Sequence, residues 1–111
     1  MGLLKKKCKV LETLRGRELE GLHYDTCFPS LPVQRELEHK VVLWDMVSEE
    51  DGCGVVHIAP GCGVEDYELG QSLGLPAICP IDESGSFLEG YDWLTGMKAP
   101  DAAPVVFSKL E

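Results

Sequence analysis

A β-rich α/β fold, mainly strand with one well-defined helix over about 64–73, is what this sequence predicts. Three observations predict it. Short apolar runs rich in Val and Ile are separated by clusters of turn-forming residues. Seven prolines and twelve glycines interrupt the 111 residues, too many for a helix bundle. Residues 64–73 alone combine a glycine entry with a Gly-Leu-Pro exit.

The elements follow in order. The run from Cys8 to Leu14 alternates loosely between apolar and polar and predicts a strand. Arg15, Gly16, Arg17 and Glu18 make a turn, and residues 19–22 a short extended piece. Phe28-Pro29-Ser30-Leu31-Pro32 excludes a helix and a central strand, because each proline lacks a backbone donor. Residues 41–47 form an apolar strand, Ser48-Glu49-Glu50-Asp51-Gly52 a turn, and residues 53–59 the next strand, so 40–59 reads as a hairpin. Gly63 then caps the helix. Glu65 and Asp66 occupy its first turn, where the helix dipole favours negative charge. Gly74 and Pro76 stop it, and Tyr67 and Leu73 are expected to pack it onto the sheet. Ala77-Ile78-Cys79 is short and apolar. Asp82-Glu83-Ser84-Gly85 is a second hairpin-type turn before Ser86-Phe87-Leu88. Trp93 opens the tail, and residues 105–110 read as a short helix or a strand. No repeat or low-complexity linker divides residues 1–111, which read as a single domain.

Composition narrows the function classes. The net charge is −9. Non-specific grip on nucleic acid comes from Lys and Arg, so this chain should meet at most a short nucleic-acid end, with another domain supplying most of the hold. The basic cluster Lys5-Lys6-Lys7-Lys9 reads as a solvated strand end. No apolar run reaches membrane-spanning length, and the charges after Leu3-Leu4 do not suit a signal peptide. Cys8, Cys27, Cys53, Cys62 and Cys79 are odd in number and form no Cys-x-x-Cys pair, which argues against a zinc site. They read as reduced, mostly buried thiols of an intracellular protein, with Cys53 and Cys79 in the core.

The chemistry concentrates at His57–Gly70, His-Ile-Ala-Pro-Gly-Cys-Gly-Val-Glu-Asp-Tyr-Glu-Leu-Gly. A strand that turns through glycines into a helix presents loop backbone and first-turn side chains to one small volume. An ionised Asp66 there suits a substrate ammonium, since a charge-assisted hydrogen bond is stronger than a neutral one; its plain alternative is a helix-start acid. Glu65 reads as its solvated neighbour. His57 is either a pocket wall or an ordinary strand histidine. Cys62 between two glycines permits a Cys/His nucleophile with His57, but no third orienting residue is visible.

Gly52-Cys53-Gly54-Val55-Val56-His57-Ile58-Ala59-Pro60-Gly61, followed by Gly63, Glu65-Asp66-Tyr67 and Gly70, resembles the G-T-G-x-V-H-x-A-P-x-x-G-x-x-D-Y block of isoleucyl-tRNA synthetases. The resemblance extends to Leu19-Glu20-Gly21-Leu22-His23-Tyr24 with Phe28-Pro29, to Gly74-Leu75-Pro76 with Gly85-Ser86-Phe87, and to Gly96 through Ala102. It implies a partial, β-barrel-like fold of the inserted editing domain shared by the valyl, isoleucyl and leucyl enzymes. The implied activity is hydrolysis of valine wrongly esterified to isoleucine tRNA, within an ATP-using isoleucine–tRNA ligase of the cytoplasm. Asp66 would hold the substrate ammonium and His57 would border the side-chain pocket. Gly54, Val55, Val56, Ala59, Pro60, Gly61, Cys62 and Gly63 would line the amino-acid site. The implied partners are the CCA end of isoleucine tRNA carrying valine and the remainder of the synthetase, with no membrane. Editing requires no cofactor and no metal.

Three departures stand out. Cys53 replaces a threonine, and Cys62 a histidine that many relatives carry; Cys62-Gly63 also differs from the His-Asp pair of the valyl and leucyl blocks. The family's upstream threonine-rich segment, T-T-x-P-W-T, has no counterpart here, so the resemblance reads as the C-terminal portion of an editing domain. The alternative is a non-catalytic folded segment that binds the aminoacyl end or is purely structural.

Overall fold

The helix marked by glycine at both ends forms where the sequence places it. The computed structural model describes residues 7–50 and 52–111. Three α-helices form among them, α1 (Pro32–Arg35), α2 (Val64–Leu73) and α3 (Ala99–Leu110), with short 3-10 turns at Gly16–Leu19 and Asp92–Leu94. Gly63 enters α2 in extended geometry with no side-chain cap, and Gly74 leaves it in the left-handed conformation at φ 68°. A Cβ is strained in that region, which is why glycine ends the helix cleanly.

The mainly β, barrel-like expectation is corrected. Among the described residues, extended segments pair only as isolated antiparallel bridges, His23 with Lys40, Ile81 with Phe87, and Ser86 with Lys98. The reason is in the hydrogen bonding. The 40–59 hairpin does not form because its first arm pairs backward. The Val41 N–H donates to the Leu22 carbonyl at 2.9 Å, Gly21 N–H to Val41 at 2.9 Å, and Tyr24 N–H to His39 at 3.1 Å. Residues 55–59 take no part in a ladder, and Val55 and Val56 stay exposed. The run 8–14 also forms no strand, and Leu11 is exposed. An apolar run becomes a strand only when a neighbouring backbone takes its hydrogen bonds.

The described residues divide into two compact units, one made of residues 7–24 and His39–Ile58, the other of Asp25–Glu38 and Ala59–Glu111. In the first, the backward pairing at 21–24 and 39–41 is closed by an edge-on contact between Tyr24 and His39, ring centres 5.7 Å apart. The second holds all three buried apolar residues among those described, Leu31, Leu94 and Ala102. Phe28, at a left-handed φ of 57°, packs edge-on against Trp93 at 5.3 Å, and Lys109 lies 4.7 Å over the same indole.

Further expectations are corrected in this unit. Pro32 opens α1 rather than excluding a helix, because the first helical position has no intrahelical N–H bond to lose. The tail is helical from Ala99. Pro100 sits in the first turn, while Pro104 lies inside the helix and gives up the bond to the Pro100 carbonyl. Tyr67 and Leu73 are about half exposed and pack on no sheet. All five cysteines are exposed, so Cys53 and Cys79 are not core residues. The predicted Asp82 turn does form: Gly85 N–H donates to the Asp82 carbonyl at 3.0 Å, and Leu88 N–H to Pro80 at 2.9 Å. Lys5 and Lys6 of the basic cluster, the opening of the chain, and Asp51 of the 48–52 turn lie outside the described residues. Among the described residues, no helix is long and apolar enough to cross a membrane.

Candidate functional site

The loop leading into α2 is built around the backbone of Ala59. Its carbonyl accepts from Cys62 N–H at 2.9 Å and, more weakly, from Gly63 N–H at 3.4 Å. Its own N–H donates to Oδ2 of Asp66 at 2.9 Å. Asp66 is the third residue of α2, so its side chain leans back over the turn before the helix and reaches the loop. Both polar groups of Ala59 are thereby satisfied inside seven residues, and the loop is clasped to the helix that follows it.

Two glycines make this packing possible. A Cβ on Gly61 would collide with the Ile78 carbonyl, which is backbone and has nowhere to go. A Cβ on Gly70, the buried residue of α2, would sit 2.9 Å from the Cβ of Pro60. Pro60 therefore rests directly on the helix, and Gly61 on the chain after it. Gly63 is less constrained, since a Cβ there would meet the Asp66 carboxyl oxygen at 3.4 Å.

The structure thus brings together Ala59, Pro60, Gly61, Cys62, Gly63 and Asp66 within the second unit. Asp66 is half-buried. One of its oxygens is committed to Ala59, and the other has no hydrogen-bond partner among the described residues. That free oxygen is the atom able to accept from an ammonium. Glu65 is exposed, as the sequence suggested. His57, Gly54, Val55 and Val56 belong to the first unit. His57 is exposed, and Gly54 takes a left-handed φ of 76°. Cys62 is exposed and its thiol makes no hydrogen bond among the described residues. No group of three His, Cys, Asp or Glu side chains among the described residues is placed to hold a metal ion.

Sequence reasoning placed Asp66 in the first turn of the helix but missed its partner, because a backbone N–H carries no residue signature. It also missed the Pro60–Gly70 contact, for which the only signal was a glycine in mid-helix, where glycine is otherwise unfavourable. A third feature it missed is the side-chain hydrogen bonding inside the predicted Asp82 turn. One carboxylate oxygen there takes the Ser84 N–H at 2.8 Å, the Ser84 hydroxyl at 2.7 Å and the Ser86 N–H at 3.0 Å. The Ser84 hydroxyl above all, then the Ser86 amide, holds the Asp82 carboxyl below the usual carboxylate range. Lys98 closes the loop by donating to the Ser84 carbonyl at 2.7 Å.

No family model matches the chain. Curated isoleucine–tRNA ligases match nearly all of it. The enzyme of Methanothermobacter marburgensis is 43% identical over 101 residues, covering 90% of this chain and 10% of that protein. The enzyme of Thermococcus kodakarensis is 40% identical over 112 residues, covering 95% and 10%, and that of Pyrococcus furiosus 39% identical over 118 residues, covering 100% and 11%. The chain spans about a tenth of the length of the curated relatives it matches.

Proposed function

The chain belongs to the isoleucyl-tRNA synthetase family, as the counterpart of one segment of those enzymes, and from that premise we propose that it takes part in post-transfer editing. The reaction is hydrolysis of the ester linking valine to the CCA end of isoleucine tRNA, in the cytoplasm, within the larger synthetase. A synthetic pocket cannot strongly reject a substrate one methylene smaller, and a second pocket can exclude the larger correct one by size, a double sieve of which this enzyme family is itself the standard illustration. The ester is activated, so hydrolysis needs a fixed substrate, a positioned water and stabilisation of the developing oxyanion.

One observation carries the reading. The Asp66 carboxylate is fixed through Oδ2 to the Ala59 N–H and keeps its other oxygen open. In this reading that oxygen grips the α-ammonium of valine. Ala59, Pro60, Gly61, Cys62 and Gly63 lie beside it in the same unit, and the role of His57 at the side-chain pocket rests on the sequence resemblance alone. His57→Ala in a full-length synthetase carrying this segment should narrow the preference for valyl over isoleucyl ester. Deacylation of valyl- and isoleucyl-tRNA(Ile) measures it, and an unchanged ratio removes His57 from the sieve.

A second reading is binding of the aminoacyl end without hydrolysis, for which the Asp66 carboxylate held at the Ala59 N–H would suffice. Calorimetry of the chain with a non-hydrolysable valyl-adenosine analogue, beside a deacylation assay, separates the two. Binding without turnover supports the second reading, and binding with turnover the first.

A further inference from the structure

Two adjacent residues of the loop before α2 touch one face of that helix. Ala59 gives its N–H to Oδ2 of Asp66 at 2.9 Å, and Pro60 rests on Gly70. Asp66 and Gly70 are four residues apart in α2, so they lie one above the other on the same face. Gly70 is the buried residue of the helix. Its carbonyl also closes the helix end, accepting the N–H of Gly74 and, at 2.8 Å, that of Leu75. A Cβ on Gly70 would stand 2.9 Å from the Pro60 Cβ, 3.0 Å from the Pro60 Cγ and 3.8 Å from the Leu75 Cβ. Glycine is unfavourable in the middle of a helix, so this contact, and not propensity, accounts for it at position 70.

We infer that Gly70 is a positioning residue for Asp66, acting through Pro60 and Ala59. The inference rests on the reading of Asp66 as the ammonium grip and adds what holds that grip in place. The connection between the two contacts is stiff. The pyrrolidine ring locks φ of Pro60, and a residue before proline is confined to extended backbone, which restricts Ala59. A displacement of Pro60 therefore passes to Ala59 instead of being absorbed between them. With a methyl at position 70, Pro60 must retreat from 2.9 Å to at least the 3.4 Å of ordinary van der Waals contact. Gly61, next in the chain, already lies against the Ile78 backbone, so the shift falls on the Ala59 side. The same shift at Ala59 takes its 2.9 Å bond to Asp66 to about 3.4 Å, beyond the ordinary range for N–H···O. Asp66 then loses the anchor of one oxygen, and its carboxylate samples rotamers that do not face the ammonium. A group held within a fraction of an ångström of its working position binds without further ordering, and a loosened one does not.

Amide hydrogen exchange on the full 111-residue chain reads the clasp without any assumption about turnover. In Gly70→Ala the Ala59 amide should exchange about tenfold faster, the loss of one hydrogen bond to a charged group. The Tyr67 amide, bonded to the Gly63 carbonyl at 2.9 Å in the first turn of α2, should keep its protection. Equal acceleration of both amides means that the helix as a whole has loosened, and an unchanged Ala59 rate means that Gly70 does not reach the clasp; either overturns the inference. If Gly70→Ala does not fold, Pro60→Gly tests the same contact, since it removes both atoms the methyl would crowd most closely and adds none in their place. It should speed Ala59 exchange in the same selective way, and parent-like protection overturns the inference. In a full-length synthetase carrying this segment, Gly70→Ala should lower kcat/KM for deacylation of valyl-tRNA(Ile) about tenfold, but less than about twofold in the Asp66→Asn background, because coupled residues are not additive. A tenfold loss in both backgrounds makes Gly70 purely structural and overturns its positioning role. Parent-rate deacylation by Asp66→Asn alone removes the ammonium reading instead, and the exchange rates still decide whether Gly70 holds the carboxylate.

Discussion

Replacing Asp66 separates two roles that the structure gives to one carboxylate. Its Oδ2 accepts the Ala59 N–H at 2.9 Å from the first turn of α2. A hydrogen bond to a charged group contributes about 1.5–3 kcal/mol, and the half-exposed setting of Asp66 argues for the lower end. Charge at the helix start adds about 0.3–1 kcal/mol. Asp66→Ala removes both and leaves the Ala59 N–H without its acceptor, so it should cost about 2 kcal/mol. Asp66→Asn keeps an acceptor oxygen and loses only charge, so it should cost about 1 kcal/mol. Urea denaturation followed by circular dichroism reads both, as midpoint shifts at constant slope. In a full-length synthetase carrying this segment, the effect on deacylation should be reversed in emphasis. Asparagine cannot offer an anion to an ammonium, so both variants should lose about 10²-fold in kcat/KM despite their unequal stabilities. An Asp66→Asn enzyme that deacylates at the parent rate refutes the ammonium role. An Asp66→Ala chain with an unchanged urea midpoint refutes the clasp.

Backbone packing, the Asp82 carboxylate and the exposed thiols each set a further expectation. Gly61→Ala forces a Cβ into the Ile78 carbonyl and should destabilise the chain by about 2 kcal/mol or more, while Gly63→Ala, whose Cβ would stand 3.4 Å from Oδ2 of Asp66, needs a shift of only a few tenths of an ångström and should cost under about 1 kcal/mol; comparable urea midpoints for the two would contradict the packing. Asp82 has a folded pKa below its ordinary 3.8, so its contribution to stability is complete above about pH 4 and is lost as pH falls through the folded value. The urea midpoint should therefore drop more steeply between pH 4 and pH 2 in the parent chain than in Asp82→Asn, and parallel curves would remove the Ser84 and Ser86 hydrogen bonds from the account. All five thiols are exposed, so the native chain should react with five equivalents of a thiol reagent without denaturant, and a slow class of cysteine would show a burial that the structure does not have.

What was legible in the sequence is the punctuation. Gly63, Gly74 and Pro76 bound α2 because glycine and proline act on the backbone locally, whatever surrounds them. The Asp82-Glu83-Ser84-Gly85 turn was legible for the same reason. Pairing was not legible. Residues 41–47 and 53–59 have strand composition, but which backbone they pair with is a non-local matter, and the Val41–Leu22 bond wins over the shorter hairpin. The length of α3 was obscured by its two prolines: Pro100 sits in the first turn, where a helix loses little, but Pro104 lies inside the helix, where proline is ordinarily costly. At the site, the residue types were legible and their partners were not. Asp66 stood out as a first-turn acid, whereas the Ala59 amide that orients it and the Pro60–Gly70 contact that holds the loop are backbone and shape, to which composition is blind.

The separation of charge bears on Asp66. The second unit's twelve acids against three bases favour a cation and disfavour a phosphate. Asp66 sits in that field with one oxygen already fixed to the backbone, so gripping an ammonium requires little further ordering of the carboxylate. Because Asp66 is half-buried, added salt should weaken its recognition of a valyl-adenosine analogue only slightly, since partly buried charges are screened less than exposed ones. A steep fall in that binding constant with salt would mean that recognition at Asp66 is no better shielded than at an exposed charge, and the preorganised carboxylate would lose its advantage.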